Sequence, residues 1–213
     1  MDASEHDMGA TWAPDTQRLY PFFGTSTQAD VSPTEPPSPR GEALPSGLGM
    51  AYKDSYLWRL RQAVGSELVL MPGAMVAVLR EDQRVLLTKR ADDGTWCLPA
   101  GAAEPGGSFA RTAIDELAEE TGIEVSERDL IPFGCLSEAE AHTIHYPNGD
   151  VTHCFALLFL ARAWRGDAVP DGEESTEAGF FELEVPPEPL HAPTTHALEL
   201  LAAHLSSGAF QVR

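Results

Sequence analysis

The chain predicts an α+β fold, a mixed sheet with helices packed on its faces. Two observations carry that expectation. Segments with strand-like alternation outnumber helical ones, with hairpin turn signals between them. Two amphipathic helical stretches, around 108–122 and 193–208, are interleaved with those strands and offer apolar faces for the sheet to bury. An apolar fraction of 43% over 213 residues is enough for one full-sized core with segments to spare.

Residues 1–50 contain seven Pro, five Ser and five Gly, including SPTEPPSPR at 32–40, and few aliphatic residues. Such a segment buries too little surface to offset its ordering entropy, so it reads as disordered. Met50 opens a new texture and stands as a candidate alternative start. Residues 51–66 form a short extension in which YLWRLRQAVG (56–65) is amphipathic, either helical or irregular. Residues 67–205 form the main domain, and 206–213 a tail.

Within the domain, ELVLMPGAMVAVLRED (67–82) reads as a strand ending in a turn, with RVLLTKR (84–90) as its hairpin partner. ADDGTWCLPAGAAEPGG reads as loop from its Gly, Pro and Asp content. SFARTAIDELAEETG is the clearest helix. Phe109, Ala113 and Leu117 recur at i, i+4, i+8, with Ser108 as N-cap and Gly122 just past the end. DLIPFGCLSE (129–138) and HCFALLFLARAW (153–164) read as strands on either side of the turn YPNGD, where Asn148-Gly149 is a hairpin signal. AGFFELEV (178–185) is a further strand, and PTTHALELLAAHLSSG (193–208) a C-terminal helix.

The net charge of −19 argues against nucleic acid or an anionic membrane as the main partner, since both require clustered Lys and Arg. A small phosphorylated ligand remains compatible, because a divalent cation can bridge acid to phosphate. No signal-peptide pattern opens the chain, and the longest apolar run, 68–79, is too short for a bilayer and contains Pro72 and Gly73. Cys97, Cys135 and Cys154 are scattered without a CxxC and read as reduced thiols of a cytoplasmic protein.

The main helix ends in four acids, Asp115, Glu116, Glu119 and Glu120. Glu116, Glu119 and Glu120 share one face at i, i+3, i+4. Each like-charge pair costs roughly 0.2–0.5 kcal/mol, and acids are disfavoured at the negative end of the helix dipole. A bound Mg²⁺ or Mn²⁺ would remove the conflict, because these ions prefer carboxylate oxygen. WCLPAG (96–101) and EPGG (104–107) place a backbone-rich turn immediately before the acids.

Together WCLPAG, EPGG and DELAEETGI resemble the Nudix box, the signature of hydrolases that act on nucleoside diphosphates linked to another moiety. Gly101, Glu116, Leu117, Glu119, Glu120, Gly122 and Ile123 match in register. Two positions depart: Gly107 stands where the family has its first Glu, and Asp115 where it has Arg. The resemblance covers residues 67–205 and implies an α/β/α sandwich with a mixed central sheet. It implies metal-dependent hydrolysis of a diphosphate linkage in a nucleotide. Glu116 and Glu120 would be the principal ligands of Mg²⁺ or Mn²⁺, with Glu119 and the Gly101 carbonyl completing the site. Glu116, Glu119 and the loop residue Glu174 are the candidate catalytic carboxylates. Because many members dimerise, a homodimer is among the implied partners. The alternative is a nucleotide-binding or sensor module of the same fold with little activity.

The family's missing Glu and Arg normally pair with each other. Arg111, at i, i+4 before Asp115, is the candidate substitute, steadying Glu116 from the other direction. Other loop acids, Glu138, Glu173 and Glu177, are weaker candidates for the base. Of the cations before the box, Arg80, Arg84, Lys89 and Arg90, the last is the candidate phosphate contact. His142, His145 and His153 match no zinc spacing. Tyr146, Phe155, Phe180 and Phe181 have the chemistry to stack on a base, but the strand residues among them more often belong to a core.

Overall fold

A computed structural model describes residues 54–146 and 148–213. The Pro/Ser-rich stretch 1–50, Met50 and the first residues of the extension lie outside the described residues. Helix α1 (Tyr56–Val64) is capped by the Ser55 hydroxyl, which accepts the Trp58 N–H at 3.1 Å. Among the described residues the strands then form two sheets. The larger is mixed and contains β1 (Val69–Val78), β4 (Ala100–Ala102), β5 (Leu130–Leu136), β6 (Thr143–His145), β7 (Val151–Ala161) and β9 (Gln211–Val212). Its order is β4-β1-β7-β5-β9, with β6 paired to β7. The smaller, antiparallel sheet orders β3 (Trp96–Cys97), β2 (Arg84–Arg90) and β8 (Ser175–Glu182) as β3-β2-β8.

The apolar run of β1 is buried on both sides. Ala74, Val76 and Val78 join the core under helix α2 (Phe109–Thr121), with Ala113, Leu117 and Ile123. Met75, Ala77 and Leu79 join the core under helix α4 (Ala192–Ser207), with Ala197, Leu198 and Leu201. A continuous aliphatic strand sandwiched between helices is the pattern expected of parallel pairing, and β1 runs parallel to β7 over its whole length. The result is the helix–sheet–helix sandwich with a mixed sheet that the sequence predicts.

Several local expectations change. β2 is not the ladder partner of β1: both edges of β1 are taken, by β4 and β7, and only the Leu79–Val85 bridge joins it to β2. The turn between them therefore carries the chain from one sheet into the other, with Gln83 at φ 63°. The Gly/Pro-rich stretch before α2 contains β3, which pairs with β2, and β4, which Gly73 and Gly101 let approach β1 closely. The Asn148-Gly149 turn joins β6 to β7, and a short helix α3 (Ala139–His142) separates β6 from β5. Phe109, expected on the core face of α2, is 40% exposed, whereas Ala113 and Leu117 are fully buried. Residues 206–213 end in β9, which pairs in parallel with β5 through Gly134 and Cys135. Among the described residues no helix is long and apolar enough to cross a membrane.

Candidate active site

Helix α2 starts at Ser108, whose hydroxyl accepts the Arg111 N–H at 3.1 Å, and stops at Gly122 in the left-handed region. Burying Ala113 and Leu117 fixes the rotation of the helix, and that rotation decides the fate of each acid. Glu120 is turned inward and is 8% exposed, Glu116 is half-buried and Glu119 is exposed.

Glu120 is held at both oxygens. Oε1 accepts the Ala100 N–H at 3.0 Å and Oε2 accepts the Thr88 hydroxyl at 3.2 Å. The Ser175 hydroxyl donates to the Glu120 carbonyl at 3.0 Å, tying the helix to β8. Glu116 faces Gly101 on β4. A β-carbon at residue 101 would sit 1.9 Å from the Glu116 carboxyl carbon, so only glycine leaves room for that carboxylate. Gly101 itself pairs with Ala74, and Gly73 supports it: a β-carbon there would lie 2.5 Å from the Gly101 carbonyl oxygen.

The electrostatics follow from burial among like charges. Burial, reinforced by Glu119 and Glu174, pushes Glu116 up to about 7. Burial pushes Glu120 up to about 8, with Glu116 adding to the rise and the Ala100 and Thr88 hydrogen bonds opposing it. Glu174 is also raised, by burial and then by Asp171 and Glu119. The Asp171 carboxylate accepts the N–H groups of Glu173, Glu174 and Ser175 and so shapes the turn that brings Glu174 to the site.

Glu116, Glu119, Glu120 and Glu174 line a cavity of about 450 Å³ together with Gly101, Thr88 and Arg90. Among the described residues no three His, Cys, Asp or Glu side chains already enclose an ion position. The chemistry of the donors nonetheless suits a hard divalent cation. They are carboxylate and carbonyl oxygens, one of them in a cradle that a β-carbon would fill, and their mutual repulsion is what a cation relieves.

Of the four loop acids considered, Glu174 lines the cavity, whereas Glu138 pairs with Arg213 at 3.0 Å and Glu177 with Lys89 at 2.8 Å. Among the candidate cations, Arg84 lies 3.5 Å from Glu182 and Arg80 stacks over Phe180 at 5.3 Å. Arg90 lines the cavity, but its guanidinium is held in a fork by Asp92. A substrate phosphate would have to compete with that pair. Arg111 Nε donates to Asp115 Oδ2 at 2.6 Å along the exposed side of α2. The His142 ring lies 3.4 Å from the Leu136 carbonyl and His153 Nε2 donates to the Ser137 carbonyl at 2.8 Å, so these rings serve backbone groups. Phe181 packs edge-on to Trp96 and Phe180 stacks on Trp164, both against the cores, whereas Phe155 is exposed beside the His153 ring.

Thr88, Ser175, Gly73 and Asp171 are site-building residues that the sequence analysis does not single out. Thr88 left one trace, a lone hydroxyl in the aliphatic run VLLTKR.

A family profile described as the NUDIX domain matches residues 69–201. A Bacillus subtilis (strain 168) protein provisionally named an 8-oxo-dGTP diphosphatase is 50% identical over 104 residues, covering 48% of this chain and 60% of that one. The chain spans between about a third and three fifths of the length of the curated relatives it matches. The crystal structure of a MutT NUDIX hydrolase from Burkholderia pseudomallei superposes with a TM-score of 0.50 at 26% identity, over 62% of this chain and 98% of that one. An ADP-ribose pyrophosphatase from Streptococcus suis 89-1591 gives 0.51 at 25% identity, over 67% and 97%.

Proposed function

The chain belongs to the NUDIX domain family, and on that premise we propose that it is a cytoplasmic, cation-dependent pyrophosphohydrolase of small nucleotides. One observation carries the reading. Glu116 lies in a cradle that only Gly101 leaves open, beside a Glu120 held by Ala100 and Thr88.

Glu116 and Glu120 would be the principal cation ligands, with Glu119 and the Gly101 carbonyl beside them and Mg²⁺ or Mn²⁺ as the ion. When bound, such an ion neutralises diphosphate charge and lowers the pKa of water. The chain's own share is positioning. Thr88 and the Ala100 N–H fix the direction of Glu120, and Gly73 and Gly101 keep the Glu116 carboxylate at the cavity wall. Glu174, whose pKa burial and neighbouring acids raise, accepts a proton from the attacking water as general base. Arg90 exchanges Asp92 for a substrate phosphate. The products are a nucleoside monophosphate and the released phosphoryl moiety.

The names of the relatives suggest which substrates to offer first: 8-oxo-dGTP and ADP-ribose. The test is monophosphate or phosphate release from a nucleotide panel with Mg²⁺ and with Mn²⁺, run beside Glu120→Gln. Turnover lost in the variant supports the reading, and identical traces for both proteins overturn it. A binding or sensor role is the second reading. It is favoured by Gly107 and Asp115, which depart from the family's box.

A further inference from the structure

Helix α1 lies outside the matched residues 69–201, yet it builds the same cavity. Ser55 and Leu57 line it together with Met71, Ile144 and Cys154. The helix is fastened at both ends. At the first, the Tyr56 N–H donates to Glu104 Oε1 at 2.7 Å, and Arg59 approaches the other oxygen of Glu104 at 3.8 Å. Glu104 belongs to the loop that follows β4. At the second, the buried Arg61 donates to the Val151 carbonyl at 2.6 Å and to the Thr152 hydroxyl at 2.8 Å, with Asp150 3.6 Å away. A fully engaged guanidinium of this kind holds an element in one place. Because the sheet order is β4-β1-β7, these two anchors stretch α1 across the strands, from the loop after β4 to the start of β7.

Strand register gives the length of the space that α1 closes. Met71, Gly73 and Met75 on β1 stand opposite Cys154, Ala156 and Leu158 on β7, so they share one face. Met75 also pairs with Ala100, whose N–H holds Glu120. Four residues of strand, about 13 Å at ~3.3 Å per residue, separate that point from Met71. One end of the cavity therefore carries the carboxylates of α2, and the other has an uncharged patch formed by Leu57, Met71, Ile144 and Cys154, with Glu104 beside the start of α1.

We propose that α1 is the end wall of the substrate site and that Leu57 sets the size of the uncharged group the site accepts, limiting it to a single nucleobase without a bulky substituent. The proposal rests on the pyrophosphohydrolase reading for the identity of the ligand. Its chemistry is apolar contact between Leu57 and the edge of a flat ring, at a distance from the carboxylates that one nucleotide spans.

The experiment is calorimetric binding of AMP, GMP, CMP and UMP to the full chain, followed by the tightest of them with a benzyl group added to its base. Truncating a hydrophobic wall costs on the order of tenfold in affinity. Leu57→Ala is expected to weaken the natural monophosphate about tenfold and to admit the benzyl derivative, which the parent rejects. Leu57→Met, close in volume, should keep the parent's order. In turnover, KM moves and kcat does not. Should the alanine variant fail to fold, Leu57→Phe carries the test, because added bulk should exclude the larger bases first. Equal affinities in parent and variants, or no monophosphate bound by the parent, would overturn the wall. Because binding needs no turnover, an inactive chain that shows the shift would overturn the proposed reaction and keep the wall, and an active chain without it would do the reverse.

Discussion

The Glu116 carboxylate occupies the space in which any other residue at Gly101 would place its β-carbon. The clash is with the end of a flexible side chain, so Gly101→Ala should displace the carboxylate and leave the fold intact. The expected result is a cooperative melt close to the parent's with Mn²⁺ affinity at least tenfold weaker, measured by calorimetry. Gly73→Ala should behave differently, because its clash is with backbone. Its cost is about 1–3 kcal/mol in denaturant unfolding, the usual range for forced overpacking.

Thr88→Val tests how Glu120 is held. The substitution keeps the shape of the side chain and removes the donor to Oε2. Partners that orient a metal ligand are typically worth 10–100-fold in affinity or activity. A loss in that range, in kcat and cation affinity together, is expected. Unchanged kinetics would leave the Ala100 N–H as the sole anchor that matters.

The raised acids make the stability of the cation-free protein depend on pH. Glu116 (about 7) and Glu120 (about 8) both lie above the ordinary carboxylate value of 4.5. Their contribution is complete at low pH, where folded and unfolded chains are both protonated. It is lost as pH rises, because only the unfolded chain has released its protons. His191, lowered to about 4 by burial and then by Arg90, works in the opposite sense: its contribution is present above pH 6.5 and lost towards 4. Between pH 6.5 and 8 the glutamates therefore act alone among these groups. In EDTA, unfolding free energy should fall across that window, by at most about 1.4 kcal/mol per pH unit for each proton. Added Mn²⁺ should stabilise more at pH 8 than at pH 6.5, and Glu120→Gln should flatten the slope.

Arg111 and Asp115 form an exposed pair one turn apart, and such pairs contribute roughly 0.3–0.5 kcal/mol to stability. Arg111→Ala and Asp115→Ala should each cost no more than that. If the pair steadies Glu116, each substitution should still weaken cation binding, and the double variant should be no worse than either single one. Additive losses, or none, would remove the pair from the site. Gly107→Glu with Asp115→Arg would then show whether the family's own arrangement raises turnover.

Glu174→Gln separates base from ligand. With Glu174 as base, kcat should fall at least a hundredfold while Mn²⁺ affinity stays within about threefold, since general acid–base catalysis is worth 10²–10⁴-fold. The acidic limb of the kcat profile should disappear as well. A parallel loss of metal affinity would make Glu174 a ligand instead.

Residues 96–123 alone determined the family, the acidic face and the two departures at Gly107 and Asp115. Helical period is a local property, so the spacing of Glu116, Glu119 and Glu120 puts them on one side of α2 whatever surrounds it. The layering was legible through the family resemblance and through two amphipathic helices interleaved with the strands, whose apolar faces need a sheet to cover. Only the tertiary structure decided which acid is buried, because burial depends on chain remote in sequence: Thr88 from β2, Ala100 from β4 and Ser175 from β8 converge on Glu120. It also decided that β1 and β2 part into different sheets, since each had other edges to pair. And it brought α1 across the end of the cavity, where Arg61 finds a carbonyl, a hydroxyl and a carboxylate about ninety residues away. Hydrogen-bond satisfaction of one buried cation placed that wall, and no pattern in residues 56–64 alone encodes it.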